Sequence, residues 1–157
     1  MKRILITGMS GTGKSSVIDA LRARGLEAID TDYDGWSEFA LFDSEPDWIW
    51  QEERMDALLR KPLAAPLYVS GCAPNQGKFY EFFDHKVLLS APLDVILKRV
   101  ANRTSNSYGK TDEERAAIVW NHQNIQPLLR QGVDFEIDTA VKSVDEVVDF
   151  LVDLVLE

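Results

Sequence analysis

An apolar run near the start of the chain passes straight into a glycine-rich turn, a lysine and two serines, Ile4 to Ser16, ILITGMSGTGKSS. Glycines at these intervals let the backbone turn tightly, so that successive N–H groups point inward together. Gly8, Gly13, Lys14 and Ser15 satisfy G-x-x-x-x-G-K-[ST] at every fixed position, the P-loop pattern in which those amides cradle phosphates. A helix expected from Lys14 adds its positive end to the same point. The loop therefore predicts a nucleoside triphosphate. Gly8, Ser10, Gly11, Thr12, Gly13 and Ser16 form the cradle, Lys14 reaches the β- and γ-phosphates, and the Ser15 hydroxyl takes Mg²⁺.

Length and charge narrow the setting. The 157 residues suit one domain, 1–157, with a real core. A formal net charge of -9 argues against tracking a nucleic-acid backbone, which needs a basic stripe. A single cysteine, Cys72, excludes an intrachain disulfide and a multi-cysteine metal site, and points to a reducing, cytoplasmic compartment. No apolar run approaches the length of a membrane span, and MKRILITG reads as a first strand rather than a signal peptide.

Apolar runs and helical patterns alternate along the chain. Strands are expected at Arg3–Thr7, Leu26–Asp30, Leu67–Ser70, Lys86–Ser90 and Phe135–Ile137. Helices are expected at Lys14–Arg24, Gly35–Phe42, Asp47–Arg60, Pro92–Ala101, Asp112–Arg130 with a bend near Pro127, and Ser143–Leu156. A further helix is read in KFYEFF. Ser143 and Glu146 have the spacing of a capping box. The alternation predicts an α/β fold, a P-loop NTPase three-layer sandwich of about five parallel strands with helices on both faces. Thr104–Thr111 is polar and rich in turn formers, a short lid spanning approximately residues 103–112.

Two kinds of P-loop protein are excluded. No N-K-x-D tetrapeptide occurs to read guanine, and Asp32-Tyr-Asp-Gly35 fits D-x-x-G too early in the chain to count. The strands ending at Ser70 and Ser90 supply no Walker B carboxylate. The second strand does, in GLEAIDTDYD: Asp30 and Asp32 stand at the carboxyl end of a strand expected next to the P-loop strand. One carboxylate suits Mg²⁺ and the other suits the proton of an attacking hydroxyl. The alternative is a helix cap, from Asp32 or Asp34 before the helix expected at Gly35.

The chain resembles the shikimate kinase and nucleoside monophosphate kinase (adenylate kinase-like) group. The resemblance is carried by GMSGTGKSS, IDTDYDGW, LYVSGCAPNQG, VLLSAPLDVILKRVANR and the late EIDT. It implies ATP and Mg²⁺ as cofactors, an acceptor-binding segment at approximately residues 32–60, and a lid after the fourth strand. By resemblance Asp30 is the metal-linked carboxylate, Asp32 lies on the substrate side, Arg54 binds substrate, and Gly71 and Cys72 touch it. Arg99 would stack on adenine and Arg103 would reach phosphates. Lys110 and Arg115 are further lid cations.

The acceptor side keeps its alternatives. Arg54 suits an anionic group on the acceptor, or pairs on the surface with Glu52 or Glu53. Asn75, Gln76 and Lys78 bind a polar acceptor, or are turn residues. Of Trp36, Trp48 and Trp50, two are expected in the core. His85 and His122 are read as structural.

The reading is a small-molecule kinase that moves the γ-phosphoryl of Mg·ATP onto a small acceptor. Lys14, Arg103 and Lys110 stabilise the charge, and Asp32 takes the proton of a hydroxyl. The rivals are a nucleoside monophosphate kinase and an ATP-binding regulator with slow hydrolysis. Neither nucleic acid nor membrane is expected as a partner, and the chain is read as a monomer or homodimer.

Overall fold

The computed structural model describes residues 1–156. Five strands form one parallel sheet: β1 (Arg3–Thr7), β2 (Glu27–Asp30), β5 (Leu67–Ser70), β6 (His85–Ser90) and β7 (Phe135–Asp138), in the spatial order β2-β5-β1-β6-β7. The P-loop strand is central, and β5 separates it from β2. The expectation that β2 neighbours β1 is therefore corrected. Strand order comes from crossovers over the sheet faces, which no local pattern records.

Alternation along β1 divides the core. Ile4 and Ile6 face one way, with Val17, Ile18 and Leu21 of α1 (Lys14–Ala23) and Val147, Val148 and Leu151 of α6 (Val144–Leu154). Leu5 faces the other way, into a cluster with Trp50, Met55, Leu59, Val69 and Phe79. This second face is covered by α2 (Glu52–Arg60) and a 3-10 helix at Gln76–Phe82, where KFYEFF was expected to be helical. A satellite cluster of Ile96, Val100 and Ile118 joins α3 (Leu93–Asn102) to α4 (Asp112–Asn124). The capping box is present: Ser143 Oγ accepts from the Glu146 N–H, and Glu146 Oε1 accepts from the Ser143 N–H.

The expected helix at Gly35–Phe42 is a strand, β3 (Ser37–Phe42), and the first part of the one expected at Asp47–Arg60 is β4 (Glu45–Trp50). The two pair as an antiparallel hairpin. Its turn is Asp43-Ser44, both with positive φ (51° and 70°), the backbone of a type I′ turn. Register puts Phe39 beside Trp48 on one hairpin face, their rings 5.5 Å apart. Trp50 is buried, Trp36 packs against the second core, and Trp48 is 62% exposed, so two of the three tryptophans serve the core as expected. The expected helix Asp112–Arg130 is two helices: α4 ends at Asn124, and α5 (Gln126–Gly132) starts afresh with Pro127 in its first turn. Among the described residues no helix is long and apolar enough to cross a membrane.

Candidate active site

The P-loop closes at the carboxyl end of β1. Gly13 forms the N-cap of α1 with φ 99°. A Cβ at Gly8 would lie 2.4 Å from the Leu89 carbonyl oxygen, so the loop can pass β6 only with glycine there. The Thr12 hydroxyl donates to the Met9 carbonyl at 2.8 Å. Lys14 Nζ folds over the loop and donates to the carbonyls of Gly8 (2.6 Å) and Met9 (3.0 Å). Burial lowers the Lys14 pKa, against the pull of Cys72, Asp32 and Asp30. Phosphate oxygens are stronger acceptors for this ammonium than the carbonyls that hold it.

Ser15 Oγ donates to Asp30 Oδ2 at 2.7 Å, and Asp30 Oδ1 accepts from the Asp32 N–H at 3.1 Å. A hydroxyl beside a buried carboxylate is a hard-oxygen pair of the kind Mg²⁺ uses, with phosphate and water supplying the rest. Among the described residues no cluster of three or more His, Cys, Asp or Glu could hold a metal ion. Asp32 opens onto the site. Desolvation raises its pKa, Lys14 and Arg103 oppose that rise, and Asp30 adds to it. The alternative that Asp32 or Asp34 caps a helix at Gly35 fails, because Asp34 has φ 61° and a hairpin follows.

A cavity of about 790 Å³ runs over this constellation, lined by Ser10 through Ser16, Asp30, Asp32, Arg99 and Arg103. The loop after β7 closes it with Thr139, Lys142 and Ser143. Arg99 Nη1 donates to the carbonyl of Gly11 (3.2 Å) and to Thr139 Oγ1 (2.9 Å), and Nη2 donates to the Thr139 carbonyl (2.8 Å). It thereby clamps the P-loop to the far loop. Thr139 Oγ1 donates in turn to the Thr12 carbonyl at 2.8 Å. In the sequence Thr139 carries no motif beyond its place in EIDT, a polar residue directly after a strand end.

The lid cations separate. Arg103 lines the cavity, donates from Nη2 to the Tyr108 carbonyl at 2.8 Å, and leaves a buried Nε without a partner. That unmatched donor fits a phosphate oxygen. Lys110 turns away: its Nζ donates to the carbonyls of Val100 (3.2 Å), Ala101 (2.9 Å) and Arg103 (2.6 Å). It caps the carboxyl end of α3, where carbonyls lack helical partners and the dipole favours a cation. Lys110, expected to be catalytic, lines neither cavity in this structure.

A smaller cavity of about 190 Å³ adjoins the first, sharing Ser10, Lys14 and Asp32, and is closed by Met9, Cys72, Tyr108, Ile118 and Asn121. Asn121 was missed, because a lone asparagine inside a helix carries no local signal. Cys72 opens onto this cavity, and desolvation raises its pKa.

Other expected acceptor residues make contacts within the fold. The Arg54 guanidinium stacks on Trp36, 3.8 Å from the ring centre, and donates to the Asp34 carbonyl. It lines neither cavity and pairs with neither Glu52 nor Glu53. Asn75 is buried: its carboxamide brackets the Trp50 backbone N–H and carbonyl (both 2.9 Å) and reaches Glu52 (3.0 Å). Gln76 bonds Ala73, Thr7 and Tyr80, and Lys78 pairs with Glu52. A Cβ at Gly71 would lie 2.0 Å from Thr31 Oγ1, so this glycine permits a close approach of two strand ends. His85 packs on Phe135, and His122 Nε2 lies 3.2 Å from the Ala91 carbonyl oxygen, both structural as expected.

Residues 4–120 match the family model described as AAA domain. No curated protein matches significantly. Solved structures share the fold at low identity. The shikimate kinase of Acinetobacter baumannii in complex with shikimate is 18% identical, with a TM-score of 0.65 over 99% of this chain and 93% of that one. The shikimate kinase of Bacteroides thetaiotaomicron is 16% identical, with a TM-score of 0.61 over 99% of each chain.

Proposed function

The chain belongs to the AAA domain family, and from that premise we propose that it is an ATP-dependent phosphotransferase acting on a hydroxyl of a small molecule. The observation that carries the reading is that Lys14 and Asp32 line both cavities, the larger beside the P-loop and the smaller beside Cys72 and Asn121. One holds the triphosphate and the other holds the acceptor, with the transfer point between them.

In this mechanism the P-loop amides and Lys14 orient the β- and γ-phosphates. Ser15 and Asp30 would hold Mg²⁺, which when bound would neutralise charge on the phosphate oxygens. Arg103 turns its unmatched Nε to the transferring group as residues 103–112 close and exclude water. The acceptor oxygen forms a bond to the γ-phosphorus as the bond to the β-phosphate bridging oxygen breaks. The hydroxyl proton passes to Asp32, and ADP leaves. The raised pKa of Asp32 brings its basicity closer to the range useful for a general base. Cys72, alone in its chain, is in keeping with a cytoplasmic setting.

The test is ADP release from Mg·ATP, alone and with a panel of hydroxylated compounds and nucleoside monophosphates, with Lys14→Ala protein as the blank. Acceptor-stimulated release with a phosphorylated product supports the reading. A slow release that no compound stimulates, and that the blank lacks, replaces it with an ATP-binding regulator.

A further inference from the structure

The smaller cavity has walls that select by charge. Among its lining residues the groups ionised near neutrality are Lys14 and Asp32. With nucleotide present Lys14 is matched to phosphate, which leaves the acceptor facing the Asp32 carboxylate and the γ-phosphate. Neither arginine of the surroundings, Arg54 or Arg103, lines this cavity. Arg54 is stacked on Trp36 and tied to the Asp34 carbonyl. Arg103 lines the nucleotide cavity, with Nη2 held by the Tyr108 carbonyl and the unmatched Nε assigned above to the transferring phosphoryl group.

The remaining polar contribution is uncharged. Asn121, half-buried on α4, lines the cavity, and its carboxamide has no hydrogen-bond partner among the described residues. A carboxamide offers two donors and an acceptor without charge. Met9 and Ile118 add apolar wall on either side of it. The volume of about 190 Å³ equals roughly six water molecules and is below the usual size of a drug-like pocket. A carboxylate or phosphate placed here would lose its hydration beside two like charges, and the one cation in the wall, Lys14, is matched to the nucleotide phosphates. The chain's net charge of -9 adds to that field.

We propose that the acceptor is a compact, uncharged polyol of about one ring, with one hydroxyl at Asp32 and another at the Asn121 carboxamide. This rests on the kinase reading for the identity of the cavity as the acceptor site. It separates the chain from a kinase of acids or nucleotides: selection against charge is made by Asp32 together with a neutral residue on α4.

The experiment is calorimetric binding to the full chain loaded with Mg²⁺ and a non-hydrolysable ATP analogue. The probes are matched pairs: shikimate and its methyl ester, quinate and its methyl ester, nucleoside monophosphates and the parent nucleosides, with myo-inositol added. The neutral member of at least one pair is expected to bind ten-fold or more tightly than its anionic partner. Asn121→Arg should narrow or invert that ratio, and Asn121→Ala, a smaller change at a half-exposed site, should weaken the neutral member. Tighter or equal binding of the anionic members, or binding by neither arm, overturns the proposal. ADP release is measured on the same pairs. Neutral binding without release would refute the kinase reading while leaving the acceptor class standing.

Discussion

The Ser15 hydroxyl donates a 2.7 Å hydrogen bond to Asp30 Oδ2, joining the first turn of α1 to the end of a strand that β5 separates from β1. The contact crosses the sheet end where ligands bind in open parallel sheets. It places a hydroxyl and a carboxylate together beside the phosphate cradle.

Ser15→Ala should remove both this bond and the hydroxyl ligand. A hydrogen bond to a charged group contributes about 1.5–3 kcal/mol, so the apo protein should lose stability of about that order. The larger consequence is for ligand linkage: the rise in melting temperature given by Mg·ATP over ATP alone should shrink to near zero. An undiminished magnesium-dependent rise would remove Ser15 and Asp30 from the metal site.

Asp32→Asn should lower acceptor-stimulated ADP release by about 100-fold or more, the usual contribution of a general base. In the wild type the acid limb of kcat/KM should lie above the ordinary aspartate range, since desolvation raises the Asp32 pKa. Unchanged turnover in Asp32→Asn would refute the assignment.

The same shift carries a stability prediction. A carboxyl whose folded pKa is raised binds its proton more tightly in the native state. Its contribution is therefore fully present below the unfolded pKa and is lost as pH rises through the folded value. Asp32→Asn should accordingly be at least as stable as wild type at neutral pH, and its urea midpoint should fall less between acid and neutral pH. A variant clearly less stable at neutral pH would show that Asp32 has a structural role instead.

Arg103 and Lys110 should part company. Arg103→Ala should reduce kcat by about 100-fold or more, towards the range seen when a transition-state arginine is removed. Lys110→Ala should leave kcat within a few-fold and cost about 0.3–1 kcal/mol, as a helix C-terminal cation does. Equal losses of kcat would restore Lys110 to the phosphates.

Gly71→Ala should destabilise the chain by about 1–3 kcal/mol, the ordinary cost of overpacking. The new methyl would meet Thr31 Oγ1, which also accepts the Trp50 indole N–H at 3.0 Å. Urea unfolding followed by tryptophan fluorescence reports both the loss and the freed indole. A variant as stable as wild type would show that the two strand ends can separate freely.

The P-loop was legible because its function is local: the amides, the lysine and the serine that act together are consecutive in the chain, and glycine spacing alone determines where they point. The five strands, the capping box at Ser143 and the short segment between α3 and α4 were legible for the same reason, each being written in neighbouring residues. The tertiary structure decided what depends on distant partners. Phe39 and Leu41 stand at the two-residue spacing of a strand while Trp48, Met55, Leu58 and Leu59 read as one side of a helix, and pairing across the Asp43-Ser44 turn takes Trp48 into the hairpin. Lys110, Arg54 and Asn75 are polar residues with many possible partners. The carbonyls of α3, the Trp36 ring and the Trp50 backbone take them, because unsatisfied donors and acceptors are met by whatever the fold brings nearest. Thr139 and Asn121 become site residues only when the sheet order carries β7 and α4 to the P-loop end. A hydrogen bond or a shared cavity between residues so far apart in the chain is set by the packing of the elements that carry them.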